Sequence, residues 1–323
     1  MKTSITRRSF NLGALATAIS PMAAHASEAP LRFIVPTAPA SGMDLIARAT
    51  QPILSRVLNR AVVIENPTGA GGVVGTTQLV RANPDGNTVG IISVNHIINA
   101  LVYRKLPFDS MKDITPIIGL GTIPLVMLVN PEKTPVKNAR ELAELIRSRP
   151  EQLNYSSPGN GAAPHLAAQM FLDAAKVKAI HIPYKGTGPQ VSAVISGDAS
   201  FTIISASGAV SFIKAGTLRP VAVMSKQRLP GLPDVPTIVE LGFPSAEAEA
   251  WFGIAGPVGL NPVVMERLRS GFATAFAQPE LREAMDTQMN VIRLSTASEM
   301  TQLMQSDLAR YKVVAQGIGL ALD

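Results

Sequence analysis

The sequence predicts an α/β protein of two doubly wound lobes joined by two crossing strands. Apolar strand-like runs alternate with helical segments along most of the chain, the pattern of sheets covered by helices on both faces. An apolar stretch over 116–130 is broken by Gly119, Gly121 and Pro124, too interrupted for a membrane helix and suited to a crossing between lobes. A second apolar strand over 250–256 brings the chain back. Lobe 1 is therefore expected at 27–122 and 252–323, and lobe 2 at 123–251.

Residues 1–26 stand apart from the fold. Lys2, Arg7 and Arg8 precede an apolar run over 12–19 and then Ala24-His25-Ala26, which reads as an export signal with a small-residue cleavage site. The run Thr6-Arg7-Arg8-Ser9-Phe10 is similar to a twin-arginine signal, and the general secretory route fits the same apolar run. A periplasmic destination is expected. Removing this segment leaves 26 basic against 23 acidic residues, so the net charge falls from +6 to +3. That mild excess suits an anionic small ligand, and no basic stripe interleaved with aromatics points to nucleic acid.

The chain has no cysteine, which excludes a disulfide, a thiolate nucleophile and a Cys-ligated metal. His96, His165 and His181 show no metal-ligand spacing. Neither a metal nor a cofactor is expected, and each histidine is read as structural or ligand-contacting.

The first strand is expected over 31–35, followed by a small-residue loop through Ser41 and Gly42 into a helix with Leu45, Ile46, Ala49, Ile53 and Val57 on one side. Ser41 and Asp44 fit a capping box, so Ser41 either caps its own helix or touches a ligand, with Asp44 competing for the same N–H groups. Pro52 is expected to kink that helix. The next strand, 61–65, leads to Gly69, Gly71, Gly72 and Gly75. These glycines lack the spacing of a phosphate-binding or dinucleotide loop, and close backbone packing explains them better. A third strand over 88–93 carries Asn95 and His96 at its end.

The most informative stretch follows a strand over 153–156: Gly159, Asn160, Gly161, Ala162 and Ala163, then a helix opening at Pro164-His165. A helix start leaves N–H groups without acceptors, and Ser, Thr, Asn or Asp normally supplies one. Here two alanines stand in the capping region. Either Asn160 or water caps the helix, or the amides around Gly161, Ala162, His165 and Leu166 form an anion seat at its positive pole. Further strands are expected over 179–184, 200–204 and 219–224, and helices over 140–147, 190–195 and 209–215. Lys185 offers a cation or holds a turn. Helices over 261–277, 280–289 and 298–316 complete lobe 1.

Several motifs together resemble one family over the whole mature chain and in order. They are Phe33-Ile34-Val35-Pro36 with Gly42-Met43-Asp44, Glu65-Asn66 with Gly69-Ala70-Gly71-Gly72, Pro84-Asp85-Gly86, and Gly159-Asn160-Gly161 with His165-Leu166. Pro183-Tyr184-Lys185-Gly186, Leu232-Pro233-Asp234-Val235-Pro236-Thr237 and Trp251-Phe252-Gly253 continue the series. The chain resembles the Bug family, the periplasmic solute receptors of tripartite tricarboxylate (TctC-like) transporters. The resemblance implies a type II periplasmic binding protein fold, a carboxylate enclosed between the lobes, and delivery to membrane subunits of the transporter by a monomeric receptor. It also implies ligand contacts from the loop after the first strand, partly through water, and from 159–162. Three positions depart from the family pattern. Ser41 replaces a glycine, Ala162 replaces a hydroxyl residue, and Ser205, Ala206 and Ser207 stand where an aspartate is common.

The resulting expectation is a receptor whose ligand sits on the amides of 159–162, with Ser41, Asn95 and Ser205 or Ser207 offering side-chain contacts and no bond made or broken. Two other functions fit the fold. One is a solute-sensing partner of a signalling system. The other is a periplasmic hydrolase using Ser41 or Ser156 with His165 and Asp44, which lacks a Gly-x-Ser-x-Gly elbow.

Overall fold

The computed structural model describes residues 28–39 and 41–320. The export segment read at 1–26 lies outside them. Two sheets organise the chain. The first contains β1 (Leu31–Ile34), β2 (Val62–Glu65), β3 (Thr88–Ser93), β4 (Ile114–Ile123), β10 (Ala250–Pro257) and β11 (Val291–Ser295), in the order β11-β4-β10-β3-β1-β2. The second contains β5 (Leu125–Val129), β6 (Asn154–Ser157), β7 (Ile180–Pro183), β8 (Phe201–Ser205) and β9 (Arg219–Val223), in the order β7-β6-β8-β5-β9. Both sheets are mixed. Parallel pairing is confined to β3-β1-β2 and β7-β6-β8, and the returning strands pair antiparallel.

The chain passes between the sheets at two places. Ile123 ends β4 and Leu125 begins β5, so Pro124 alone separates them. The return runs from β9 through a 3-10 turn at Pro244–Ala246 into β10. Each sheet carries its own aromatic core: Phe33 meets Phe272 edge to face at 5.7 Å in the first, and Phe171 meets Phe201 likewise at 6.2 Å in the second. A continuous buried apolar cluster, including Ile98, Phe171, Trp251 and Met304, also joins elements of both lobes.

The helices are α1 (Gly42–Leu58), α2 (Val73–Val80), α3 (Val94–Val102), α4 (Ala139–Ser148), α5 (Ala163–Ala175), α6 (Thr187–Ser196), α7 (Ala206–Lys214), α8 (Pro262–Ala277), α9 (Pro279–Thr287) and α10 (Ala297–Gly317). Pro52 lies inside α1 without ending it. The glycine-rich segment before α2 behaves as a packing device. A Cβ on Gly75 would lie 2.7 Å from Pro36 Cβ and 3.0 Å from Pro67 O, so only glycine lets these backbones meet. Two elements escaped the sequence reading: α3, where a strand end was expected to carry Asn95 and His96, and the edge strand β11.

Candidate functional site

Helix starts differ in how their first N–H groups are satisfied. Ser41 Oγ accepts from Asp44 N in α1, Asn138 from Glu141 N in α4, and Thr296 forms a full capping box with Glu299 in α10. By contrast α2, α3, α5 and α6 begin without a side-chain cap, and each follows a parallel strand, β2, β3, β6 or β7. Their N-termini therefore gather at the carboxyl ends of the strands, where open α/β sheets bind ligands. No side chain caps α5 at Ala162, so Asn160 does not fold back to that role.

The amides of this seat are only partly open. Gly161 N donates to His165 Nδ1 at 3.2 Å, and Ala163 N donates across the lobes to Asn95 Oδ1 at 3.3 Å. Ala162 N makes a long bond to Gly159 O, 3.4 Å, leaving the amides of Asn160 and His165 without partners among the described residues. The expectation of free amides is thus corrected at Gly161 and Ala162, and at Leu166, whose N–H donates to Ala162 O at 3.2 Å, all three finding local acceptors, while the acceptor of Ala163 comes from the other lobe.

Beneath this loop, aromatic rings stack. His165 and His181 lie 3.9 Å apart with planes 10° from parallel, and Tyr155 stands 4.9 Å from His181. Burial lowers the His165 pKa to about 3, with the charge of His181 adding to the effect, and burial lowers His181 to about 4. Both rings are neutral at pH 7. With Nδ1 accepting from Gly161, His165 carries its proton on Nε2.

On the lobe 1 side, Ser41 Oγ sits 2.8 Å from Thr37 Oγ1 and 3.4 Å from Asp44 N. Gly42 opens α1 with nothing within 4 Å of a Cβ position. Asp44 is fully buried, its carboxylate taking Arg48 Nε at 2.7 Å and Asn66 Nδ2 at 3.0 Å. These partners give Asp44 a structural task at the root of the loop. A cavity of about 20 Å³, walled by Met43 and Ile92 as well as by Thr37, Ser93, Asn95 and Asn99, is large enough for one water. In lobe 2, Ser205 Oγ caps α7 through Gly208 N and receives Ser207 Oγ at 3.3 Å, so both hydroxyls are half-buried and locally bonded.

The hydrolase arrangement does not assemble. Ser156 Oγ donates to Gln190 O, Asp44 is held by Arg48 and Asn66, and His165 Nδ1 faces Gly161. A different serine, Ser157, lies 2.6 Å from His181 Nε2, yet it is completely buried and no carboxylate bonds either histidine among the described residues.

A larger opening of about 490 Å³ lies elsewhere, walled by Trp251, Glu247, Glu249, Glu299, Asp307 and Arg310. Its wall sets four carboxyl groups against Lys226, Arg293 and Arg310, with Lys226 paired to Glu247 and Arg310 to Asp307, whereas the loops at the strand ends present backbone amides.

Together these features define a two-lobed α/β binding-protein fold in which the partly unsatisfied amides at the start of α5 face the opposite lobe. The family model described as "TctC: Tripartite tricarboxylate transporter family receptor" matches residues 46–320, and the chain belongs to that family. It is 32% identical over 285 residues to a "UPF0065 protein in tcbD-tcbE intergenic region" of Pseudomonas sp. strain P51, covering 88% of this chain and 84% of the relative. Solved structures show the same fold. The periplasmic binding protein BugD is 26% identical with a TM-score of 0.79, over 91% of this chain and 99% of its own. MatC from Rhodopseudomonas palustris with bound malate is 26% identical with a TM-score of 0.77, over 89% and 99%. The R. palustris protein Rpa4515 with adipate is 27% identical with a TM-score of 0.81, over 91% and 98%.

Proposed function

We propose that this chain is an extracytoplasmic receptor that captures a carboxylate-bearing small molecule between lobe 1 (27–122 and 252–323) and lobe 2 (123–251). The start of α5 carries this reading: Ala162 offers no capping side chain and the amides of Asn160 and His165 have no partner among the described residues, so a carboxylate supplies the missing acceptor. Hydrogen bonds to a charged acceptor contribute about 1.5–3 kcal/mol each, so a few backbone amides give useful affinity without a side-chain cation. The ligand contacts are Gly159, Asn160, Gly161, Ala162 and His165 from lobe 2, with Ser205 and Ser207 at its margin. Ser41, Gly42 and Asn95 face them from lobe 1, and Asp44 acts through the loop it anchors. The malate and adipate bound by relatives support a dicarboxylate as the first class to try.

The receptor releases its solute unaltered, as a monomer, to the membrane subunits of a tripartite tricarboxylate transporter. Export to the periplasm follows from the basic and apolar segment at 1–26. Trp251 is the sole tryptophan and lies in a strand that links the lobes, so its emission reports closure. Titration with mono-, di- and tricarboxylates and aromatic acids is expected to give a saturable change for one class. A panel that yields no saturable signal, with calorimetry equally silent, would overturn the assignment.

A further inference from the structure

Both stacked histidines are wired into the loop that forms the seat. His165 Nδ1 holds the Gly161 N–H, and His181 Nε2 meets Ser157 Oγ, which also accepts from Gly159 N at 3.2 Å. A histidine protonated on both nitrogens has no acceptor left. Protonating His165 therefore releases the Gly161 amide and places a positive charge under the loop in the same event.

Resting on the solute-capture reading, we propose that His165 is a proton-operated latch on the Gly161 amide. An arriving carboxylate displaces Nδ1 from Gly161 N–H, Nδ1 takes a proton from solvent, and the anion is then held by the released amide with the imidazolium beside it. The His165–His181 stack accepts only one such proton, because two charges 3.9 Å apart repel strongly. Capture is thereby coupled to proton uptake.

The surroundings contain little to mask this behaviour. β6 contributes Tyr155, whose phenol burial holds protonated, and β8 contributes no ionisable group. On α5 itself Asp173 acts on Tyr155, α3 contributes the buried neutral His96, and α10 contributes Asp307, Arg310, Tyr311 and Lys312, of which Asp307 is bonded to Arg310 and Trp251. Burial and His181 account for the depressed His165, so its charge responds chiefly to what occupies the loop. A bound anion favours the charged ring and raises its pKa. Between the free and bound values, Kd falls as pH falls, by up to about tenfold per pH unit for one proton.

The test uses histidine-labelled and glycine-labelled protein in NMR, with malate and adipate as probes, over pH 8 to 3. The free protein is expected to keep the Gly161 amide shift constant until His165 protonates in acid, and then to move with it. With either probe, His165 should titrate about three units higher, near pH 6, and Kd should tighten about tenfold between pH 7 and pH 5. His165→Asn keeps an acceptor at the Nδ1 position for Gly161 but takes up no proton, so its Kd should be flat over that range. His181→Gln removes the repelling neighbour and should move the His165 titration upward. Binding with an unmoved His165 titration or a pH-independent Kd overturns the latch while sparing the receptor assignment. Failure of both probes at every pH counts against dicarboxylate capture, and the latch is then judged on the free protein: a Gly161 amide that ignores protonation of His165 overturns it.

Discussion

Asn95 Oδ1, in the first turn of α3, accepts the backbone N–H of Ala163 at the first position of α5, 3.3 Å away. The bond joins helices that belong to different sheets, and it occupies one of the amides a ligand would use. An intramolecular side chain thus supplies the acceptor that the proposed carboxylate would otherwise offer this amide.

Replacing Asn95 with alanine removes a bond worth about 1 kcal/mol and leaves the cleft without that tie. Ligand-free Asn95→Ala is expected to populate a more open form, seen as a larger radius of gyration in small-angle scattering. Superimposable curves for variant and parent would show that the apolar contacts of α3 and α10 with α5 hold the lobes unaided.

Gly161 has φ +74, a conformation that asparagine and aspartate tolerate better than most residues. The pair Gly161→Asn and Gly161→Asp therefore separates charge from shape. The aspartate variant should lose carboxylate binding altogether, and the asparagine variant should weaken it less. Equal affinities for the two variants would place the anion elsewhere.

Trp251 Nε1 donates to Asp307 Oδ2 at 2.7 Å, and Arg310 Nη2 reaches Asp307 Oδ1 at 2.9 Å. Asp307→Ala leaves the buried indole N–H unpaired and should cost about 2–3 kcal/mol, read as a lower urea midpoint with a changed Trp251 emission. A midpoint within experimental error of the parent would mean the indole finds another partner.

Histidines held neutral by burial make stability depend on pH in a definite direction. His165 at about 3 and His181 at about 4 lie below the unfolded value near 6.5, and burial lowers His96 too. The unfolded chain then binds more protons, so the contribution is complete above about pH 6.5 and is lost as pH falls toward the folded values. Each well-buried ring removes up to about 1.4 kcal/mol per pH unit in that window, and the half-buried His181 removes less. Asp307 and Glu249, raised by burial, act in the opposite sense nearer the carboxylate range. Urea midpoints between pH 7 and pH 5 should fall for the parent and fall less for His165→Gln. A parent midpoint that rises toward pH 5 would contradict neutral buried rings.

Most strands and helices were legible because their apolar periodicity is local. β11 was not: its pattern Val291–Ser295 lies on an exposed edge with little buried face to alternate against. α3 was hidden by the run of Val94, Ile97, Ile98, Leu101 and Val102 after an equally apolar strand, with no side-chain cap to mark its start. The missing cap on α5 was visible as two alanines, and that reading matches the structure. What the sequence could not reveal were the acceptors that reach the seat from a distance. Asn95 comes from the other lobe, and His165 meets His181 across a helix and a strand, contacts fixed only by tertiary packing.

Pro124 is the single residue between a strand of one sheet and a strand of the next, and its carbonyl accepts Ala206 N at 2.8 Å. Its ring fixes φ, and that hydrogen bond pins its far side to the second sheet. At this junction the backbone keeps very few loose torsions, so any swing of the halves follows a narrow track, as a door on a pin turns about one line. In the proposed receptor, reopening would then retrace the path of closing, and a captured solute would meet the same pair of walls each time.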